Sequence, residues 1–339
     1  VKTILRNLAE WMHSAPRRTA PNEPVSREAP AKLVITRISS REDFQEHTAR
    51  IDAETLDRQR QERELAQSTS HFRTPGFCFV CGQWTEFLSS WDYAYKVDGH
   101  LHVNWREQLL CPICRLNNRR RASIHLLTEI VHPTKRSYIY ATEQWSPLYR
   151  HLRRCFPLVE GSEYLGDAVP IGQNNSAGIR NEDLTSLSFQ DESFDAILSF
   201  EVLEHIPDYR RAFAECARTL KPAGKMLFSV PFDTRAGHNR IRARVRADGT
   251  IEHLLPPEYH GHPKNSKGSL CFQHFGWEML QQMSEAGFSS VSALCYHSRE
   301  YAYLGGEQIQ FLAEKEVRNG TWPSRVDRAQ RRRTNTATR

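Results

Sequence analysis

The stretch 194–232, FDAILSFEVLEHIPDYRRAFAECARTLKPAGKMLFSVPF, limits what this chain can fold into more than any other part of it. A short apolar run (194–200) follows the turn-forming Asp191, Glu192 and Ser193, which is the pattern of a strand buried on both faces. Ile206, Pro207 and Asp208 stop that strand and cap a helix, whose apolar positions Ala212, Phe213, Cys216, Ala217 and Leu220 recur at three-to-four-residue spacing. Lys221, Pro222, Ala223 and Gly224 end the helix, and 225–231 is a second apolar run. Two parallel strands joined by a helix bury both faces of a sheet, so the unit predicts an α/β domain. In open parallel sheets the ligand crevice lies off the carboxyl ends of the strands, which puts Phe200, Glu201 and His205 beside a ligand. On position alone, a solvated loop and helix cap account for Glu201, Glu204 and His205 equally well.

FDAILSFEVLEHIPD followed by LKPAGKMLFSVP resembles the fourth and fifth strands of class I S-adenosylmethionine-dependent methyltransferases, of the subgroup that acts on small molecules. Residues 181–195 extend the resemblance, which covers 120–315. It implies a Rossmann-like seven-stranded sheet with helices on both faces, and S-adenosylmethionine as cofactor. Asp183 and Leu184 match the positions that meet the adenine ring. Glu163, the acid ending a short strand over 157–164, matches the residue that receives both ribose hydroxyls, since one carboxylate can accept two hydrogen bonds. Glu160 competes for that role but lies inside the strand. Glu201 completes the expected cofactor residues. A third strand is expected over 179–183, a helix starting at Ser146 and Pro147, a helix over 276–287, and a closing hairpin from 291–295 and 308–313.

The chain departs from this family at its candidate first strand, 136–141. The family ends that strand in a glycine-rich loop, whose bare backbone lets amides approach the cofactor. Here the stretch reads YATEQW, without glycine, so Glu143 or Thr142 is the candidate to meet the ammonium group. Beyond Phe232 the βα alternation breaks. The insertion 233–275 holds His238, His253, His260, His262 and His274, and family members commonly cover their substrate at this point. His260, in PEYHGH, and His205 are the candidate catalytic residues, an imidazole titrating near neutrality being able to remove a hydroxyl proton. Loop packing is the competing reading of each histidine, and their spacing matches no standard metal motif.

Cys78 and Cys81 form one CxxC pair and Cys111 and Cys114 another, with 29 residues between the pairs. Two such knuckles close a four-thiolate site that leaves no position for water, so the expected ion is a structural zinc. Paired disulfides are the alternative, disfavoured in a reducing compartment. Arg119, Arg120 and Arg121 follow directly; they suit a phosphate clamp or salt links between the cysteine module and the next domain. Trp84, Trp91, Tyr93, Tyr95 and Trp105 read as the module's core, with stacking on a sugar or base as the alternative.

The net charge of +6 resides in 318–339, which holds seven arginines and one acid; the remainder balances at 39 basic and 39 acidic residues. A neutral body argues against a nucleic-acid interface along it. No apolar run approaches the roughly 18 residues of a spanning helix, and the amino terminus lacks a signal peptide's apolar core, so the cytoplasm is the expected location. The expected division is an N-terminal part (1–70: amphipathic helix, proline-rich linker over 14–30, charged helix), a zinc module (71–122), a methyltransferase domain (123–316) and a basic tail (317–339). The expected function is methyl transfer to a small-molecule or glycan acceptor, at oxygen. A zinc-containing RNA methyltransferase and a non-catalytic scaffold are the other classes.

Overall fold

The structure is a computed structural model that describes residues 28–66, 70–97, 99–261 and 268–317. The expected helix over 1–13, most of the linker, the basic tail and His262 lie outside the described residues. In chain order, β1 (Ile35–Ile38), α1 (Arg41–Arg50) and α2 (Asp52–Leu65) precede a cysteine-bearing hairpin of β2 (Phe72–Cys78) and β3 (Gln83–Ser89). Then come α3 (Asn118–Leu126), β4 (Ile139–Ala141), α4 (Pro147–Cys155) and β5 (Val159–Gly161). The unit of β6 (Phe194–Phe200), α5 (Tyr209–Thr219) and β7 (Leu220–Ser229) follows; after an insertion of short strand pairs come α6 (Glu278–Glu285), β8 (Ser290–Ser298) and β9 (Tyr303–Glu314).

Seven strands form one sheet in the order β1-β8-β9-β7-β6-β4-β5. β5, β4, β6 and β7 are parallel, whereas β9 runs antiparallel to both β7 and β8. Alternation of side chains along the strands produces two cores. Ile197, Met226, Phe228, Ala293 and Phe311 face α5 and α6; Leu198, Leu227, Leu294 and Leu312 face α3 and α4. The fold is therefore a Rossmann-like seven-stranded sheet with helices on both faces. Asp208 caps α5 by accepting from the backbone N of Arg211 at 3.2 Å, and Ser146 caps α4 by accepting from Tyr149 at 3.0 Å, with Pro147 in the first turn.

Three expectations are corrected. α5 stops at Thr219 and β7 already begins at Leu220; Pro222 to Gly224 lie within the strand, where the β6–β7 register shifts. No third strand runs over 179–183. Asn181 is fully buried and its side chain gathers Leu165, Gly166 and Val169, while its backbone pairs with Gly172 and Gln173; isolated bridges join Asn181 to Glu163 and Arg180 to Asn174. The seventh strand is instead β1, which pairs antiparallel with β8, Ile35 opposite Tyr296.

Phe213 fixes α5 on the sheet and is fully buried. Phe213→Ala is expected to lower unfolding free energy by about 3–5 kcal/mol, read from urea denaturation. A loss below about 1 kcal/mol would mean that the β6–α5–β7 unit is not the packed centre described.

Candidate active site and cysteine cluster

From β4 the chain crosses outward to β5 and then returns to β6 on the other side of β4, so the sheet has its switch point between β4 and β6. Beyond β4, Thr142 donates its N–H to Leu198 O (3.0 Å) and its hydroxyl to Ser199 Oγ (3.1 Å). The glycine-free turn that follows is held from the side: Glu163 Oε1 accepts the backbone N–H groups of Gln144 (2.6 Å) and Trp145 (2.8 Å). Burial pushes the Glu163 carboxyl up to about 6 against those two amides, with Glu143 near enough to push the same way. Gly161 makes this approach possible, since a Cβ there would stand 2.3 Å from the Tyr149 ring and 2.9 Å from Glu143 O. Asp183 Oδ1 accepts from the N–H and hydroxyl of Thr185 (2.8 and 2.7 Å), while Leu184 sits in the core. Glu143 and Glu163 thus share one corner of the crevice, and Asp183 and Leu184 begin the segment that leads from it to β6.

Glu201, expected among the cofactor residues, is occupied by the protein itself. It follows β6 with φ +58° and lies between Arg106, at 2.5 and 3.3 Å, and Ser229 Oγ, at 2.7 Å. Burial opposes its charge, but Arg106 and then Arg119 prevail and hold the carboxyl down to about 2. Arg106 and Arg119 both meet Glu107, at 2.9 and 2.6 Å, so the cysteine-bearing segment reaches the strand ends through a chain of ion pairs. Arg119 thus pairs inside the cysteine-bearing segment, and the direct ion pair to the sheet is made by Arg106, outside the arginine run. Arg121 is fully buried and donates to Tyr301 O (2.8 Å) and Ala302 O (3.0 Å). Trp105 is buried edge-on against Phe72 in the module core, whereas the half-buried Trp84 lies edge-on against Phe77 at the edge of the sheet's own core; Tyr93 and Tyr95 are exposed.

On the far side of β6, Leu203, Glu204 and His205 form a short turn against the insertion. Phe272 N–H donates to Glu204 O (2.8 Å), and the buried Gln273 side chain donates to Leu203 O (2.8 Å) and Ile206 O (3.1 Å). This docking brings His260 beside His205, with ring centroids 5.1 Å apart. With no cation in the cluster, Cys271 and then Glu204 push His260 up to about 11. His238 pairs with Glu278 at the surface, and His253 is exposed, so neither joins the cluster. Glu204 carried no sequence signal beyond its place next to His205 after a strand.

The four module cysteines are free thiols whose sulfurs lie within 4.8 Å of one another. Cys78 and Cys114 are 3.8 Å apart, as are Cys81 and Cys111, and four sulfurs each about 2.3 Å from a tetrahedral ion stand about 3.8 Å apart. The two knuckles are built alike: Gly82 after one and Arg115 after the other both take left-handed backbone, with φ +65° and +63°. These four residues could hold one ion and leave it no open position.

Residues 161–228, which include Glu163, Asp183, Leu184 and the β6–α5–β7 unit, match the family profile described as "Methyltransferase domain". This stretch is similar to a methyltransferase domain. A probable S-adenosylmethionine-dependent methyltransferase of Mycolicibacterium smegmatis is 26% identical over 153 residues, 44% of this chain and 51% of that protein. Ubiquinone biosynthesis O-methyltransferase of Coxiella burnetii is 42% identical over 49 residues, 14% of this chain and 21% of that protein. This chain thus spans about half or less of the length of these curated relatives. Among solved structures, a Burkholderia thailandensis 1,6-didemethyltoxoflavin-N1-methyltransferase with 1,6-didemethyltoxoflavin and S-adenosylhomocysteine bound is 17% identical, over 58% of this chain and 78% of its own, at TM-score 0.37. The matched stretch stops short of the insertion, so His260 and Cys271 lie outside it, and the cysteine cluster precedes it. No helix among the described residues is long and apolar enough to cross a membrane.

Proposed function

We propose that this chain moves a methyl group from S-adenosylmethionine to the hydroxyl of a small-molecule or glycan acceptor, and that the four cysteines hold a structural zinc. The observation that carries the reading is the match of 161–228 to a methyltransferase domain, on a sheet whose switch-point crevice holds Glu143 and Glu163. Bound there, the cofactor supplies an electrophilic methyl, and the protein's work is to orient a nucleophile towards it and exclude water. Glu163 retains Oε2 for the ribose hydroxyls, Glu143 is placed for the ammonium group, and Asp183 and Leu184 for the adenine. His205 and His260 face the acceptor side. Transfer to oxygen draws support from the likeness to an O-methyltransferase, and a small acceptor from the neutral body of the chain.

Titration calorimetry with S-adenosylmethionine and S-adenosylhomocysteine tests the cofactor half. Micromolar binding is expected, lost in Asp183→Ala and Glu163→Ala. The Glu163 carboxyl must be ionised to accept from two hydroxyls and sits near pH 6 in the free protein. Affinity is therefore expected to rise from pH 5 to 7, by about tenfold per unit below 6, and then level off. In Glu163→Gln the profile should be flat; the same slope in that variant would remove Glu163 from the ribose site.

A second reading has its own support. The N–H groups of Gln144 and Trp145, in the loop where related domains use glycine, are already taken by Glu163. A scaffold that kept the sheet and lost the cofactor would show this arrangement. Absence of binding by folded protein, with and without candidate acceptors, would favour it.

A further inference from the structure

Glu204 is completely buried, and neither of its carboxylate oxygens receives a hydrogen bond. A bare carboxylate in the interior costs several kcal/mol unless a cation meets it. Two imidazole nitrogens face it: His260 Nδ1 at 3.5 Å and His205 Nε2 at 3.6 Å from Oε1. One ligand atom from each of Glu204, His205 and His260 falls within a 4.8 Å cluster. Two donor atoms each about 2.1 Å from a tetrahedral zinc stand about 3.4 Å apart, so the separations fit an ion between the groups better than a direct hydrogen bond.

The surroundings fix which nitrogen of each ring is left for an ion. His205 Nδ1 is 2.8 Å from Leu270 O, and a carbonyl only accepts, so Nδ1 bears the hydrogen and Nε2 is left bare towards Glu204. His260 Nε2 is 2.9 Å from Glu258 Oε1, to which it donates, so Nδ1, which faces Glu204, is the nitrogen that would exchange its proton for an ion. Glu258 is itself held by Arg242 at 3.1 Å and by His274 at 3.0 Å. A carboxylate or carbonyl behind each ligating histidine is the outer shell that metal sites use to orient imidazoles.

We propose that Glu204, His205 and His260 bind a divalent transition-metal ion, zinc by the chemistry of the donors, at a site separate from the four cysteines. The ion fastens the insertion to the turn after β6 and keeps coordination positions open on the acceptor side. Only its bearing on the acceptor rests on the methyltransferase reading; the binding of the ion does not.

The test is the metal content of zinc-loaded, desalted full-length chain, measured by mass spectrometry, with circular dichroism as the check on folding. The cysteine cluster contributes its own ion, so wild-type chain is expected to hold two, Glu204→Gln and His260→Asn one, and Cys271→Ser two. An unchanged count in folded Glu204→Gln overturns the proposal, as does loss in Cys271→Ser alone. Should both ligand variants fail to fold, the zinc absorption edge of wild-type protein decides. A mixed nitrogen, oxygen and sulfur environment supports the second site, and one ion in an all-sulfur environment overturns it. Calorimetric titration with S-adenosylmethionine, run on the same preparations, reports separately on the methyltransferase reading.

Discussion

Cys81→Ser is expected to yield a chain without the cysteine-bound zinc, with the segment from β2 to the start of α3 opened to protease and the sheet behind it loosened. Structural zinc contributes apparent free energies of about 10–16 kcal/mol in small zinc modules, as much as the whole margin of a typical domain. The local alternatives are thin: the module's own core is Phe72, Phe87, Val103, Trp105 and Leu109, completed by Ala302 and Leu304 from β9 and the turn before it. Damage should spread, because Phe77 N–H donates to Glu300 O at 2.6 Å and Arg106 braces Glu201 at the strand ends. Limited trypsin digestion with metal analysis checks this. A variant that loses its zinc yet keeps the wild-type digestion pattern would show the ion to be dispensable for the fold.

Arg121→Met should rank next, at about 3–5 kcal/mol in urea unfolding. The guanidinium has no carboxylate partner among the described residues and lies 3.8 Å over the Phe87 ring and 5.3 Å over Tyr303. Removing it strands the carbonyls of Tyr301 and Ala302. The guanidinium charge opposes the neighbouring Cys111 thiol and burial, which push the Cys78 thiol up, and four thiolates around one divalent ion leave an excess of negative charge for a permanent cation to offset. The expected signature is coupling: in a double-mutant cycle with Cys81→Ser, the cost of losing Arg121 should fall by more than about 1 kcal/mol. Additive costs would confine Arg121 to packing and its two carbonyls.

What could be read in advance follows from range along the chain. β6, α5 and β7 announce themselves through apolar spacing within forty residues, and the knuckles through a two-residue gap, so both were legible. β1 was not: four residues, ITRI, carry too little pattern to mark an edge strand whose partner lies near the other end of the sequence. The lost third strand turned on one buried asparagine, whose side chain redirects a loop in a way no periodicity records. At the site, Glu163 could be singled out because an acid after a short strand is a local signal; its two backbone donors, Gln144 and Trp145, could not. Glu201 could be placed at the crevice but not paired with Arg106, 95 residues away. The Glu204 cluster is a product of docking, assembled from a turn and an insertion that sequence spacing does not connect.

β1 also sets an order of assembly. It leaves the ribosome before the rest of the sheet, and the strand it pairs with, β8, is made about 260 residues later. At about 5–20 residues per second, β1 waits for about 10–50 s of synthesis before it has an edge to join. The β6–α5–β7 unit can meanwhile close on itself, since its contacts are local and cost little loop entropy. The first strand of the sheet in sequence is therefore expected to be the last in time, and its arrival covers an edge that would otherwise stay open to pairing with another chain.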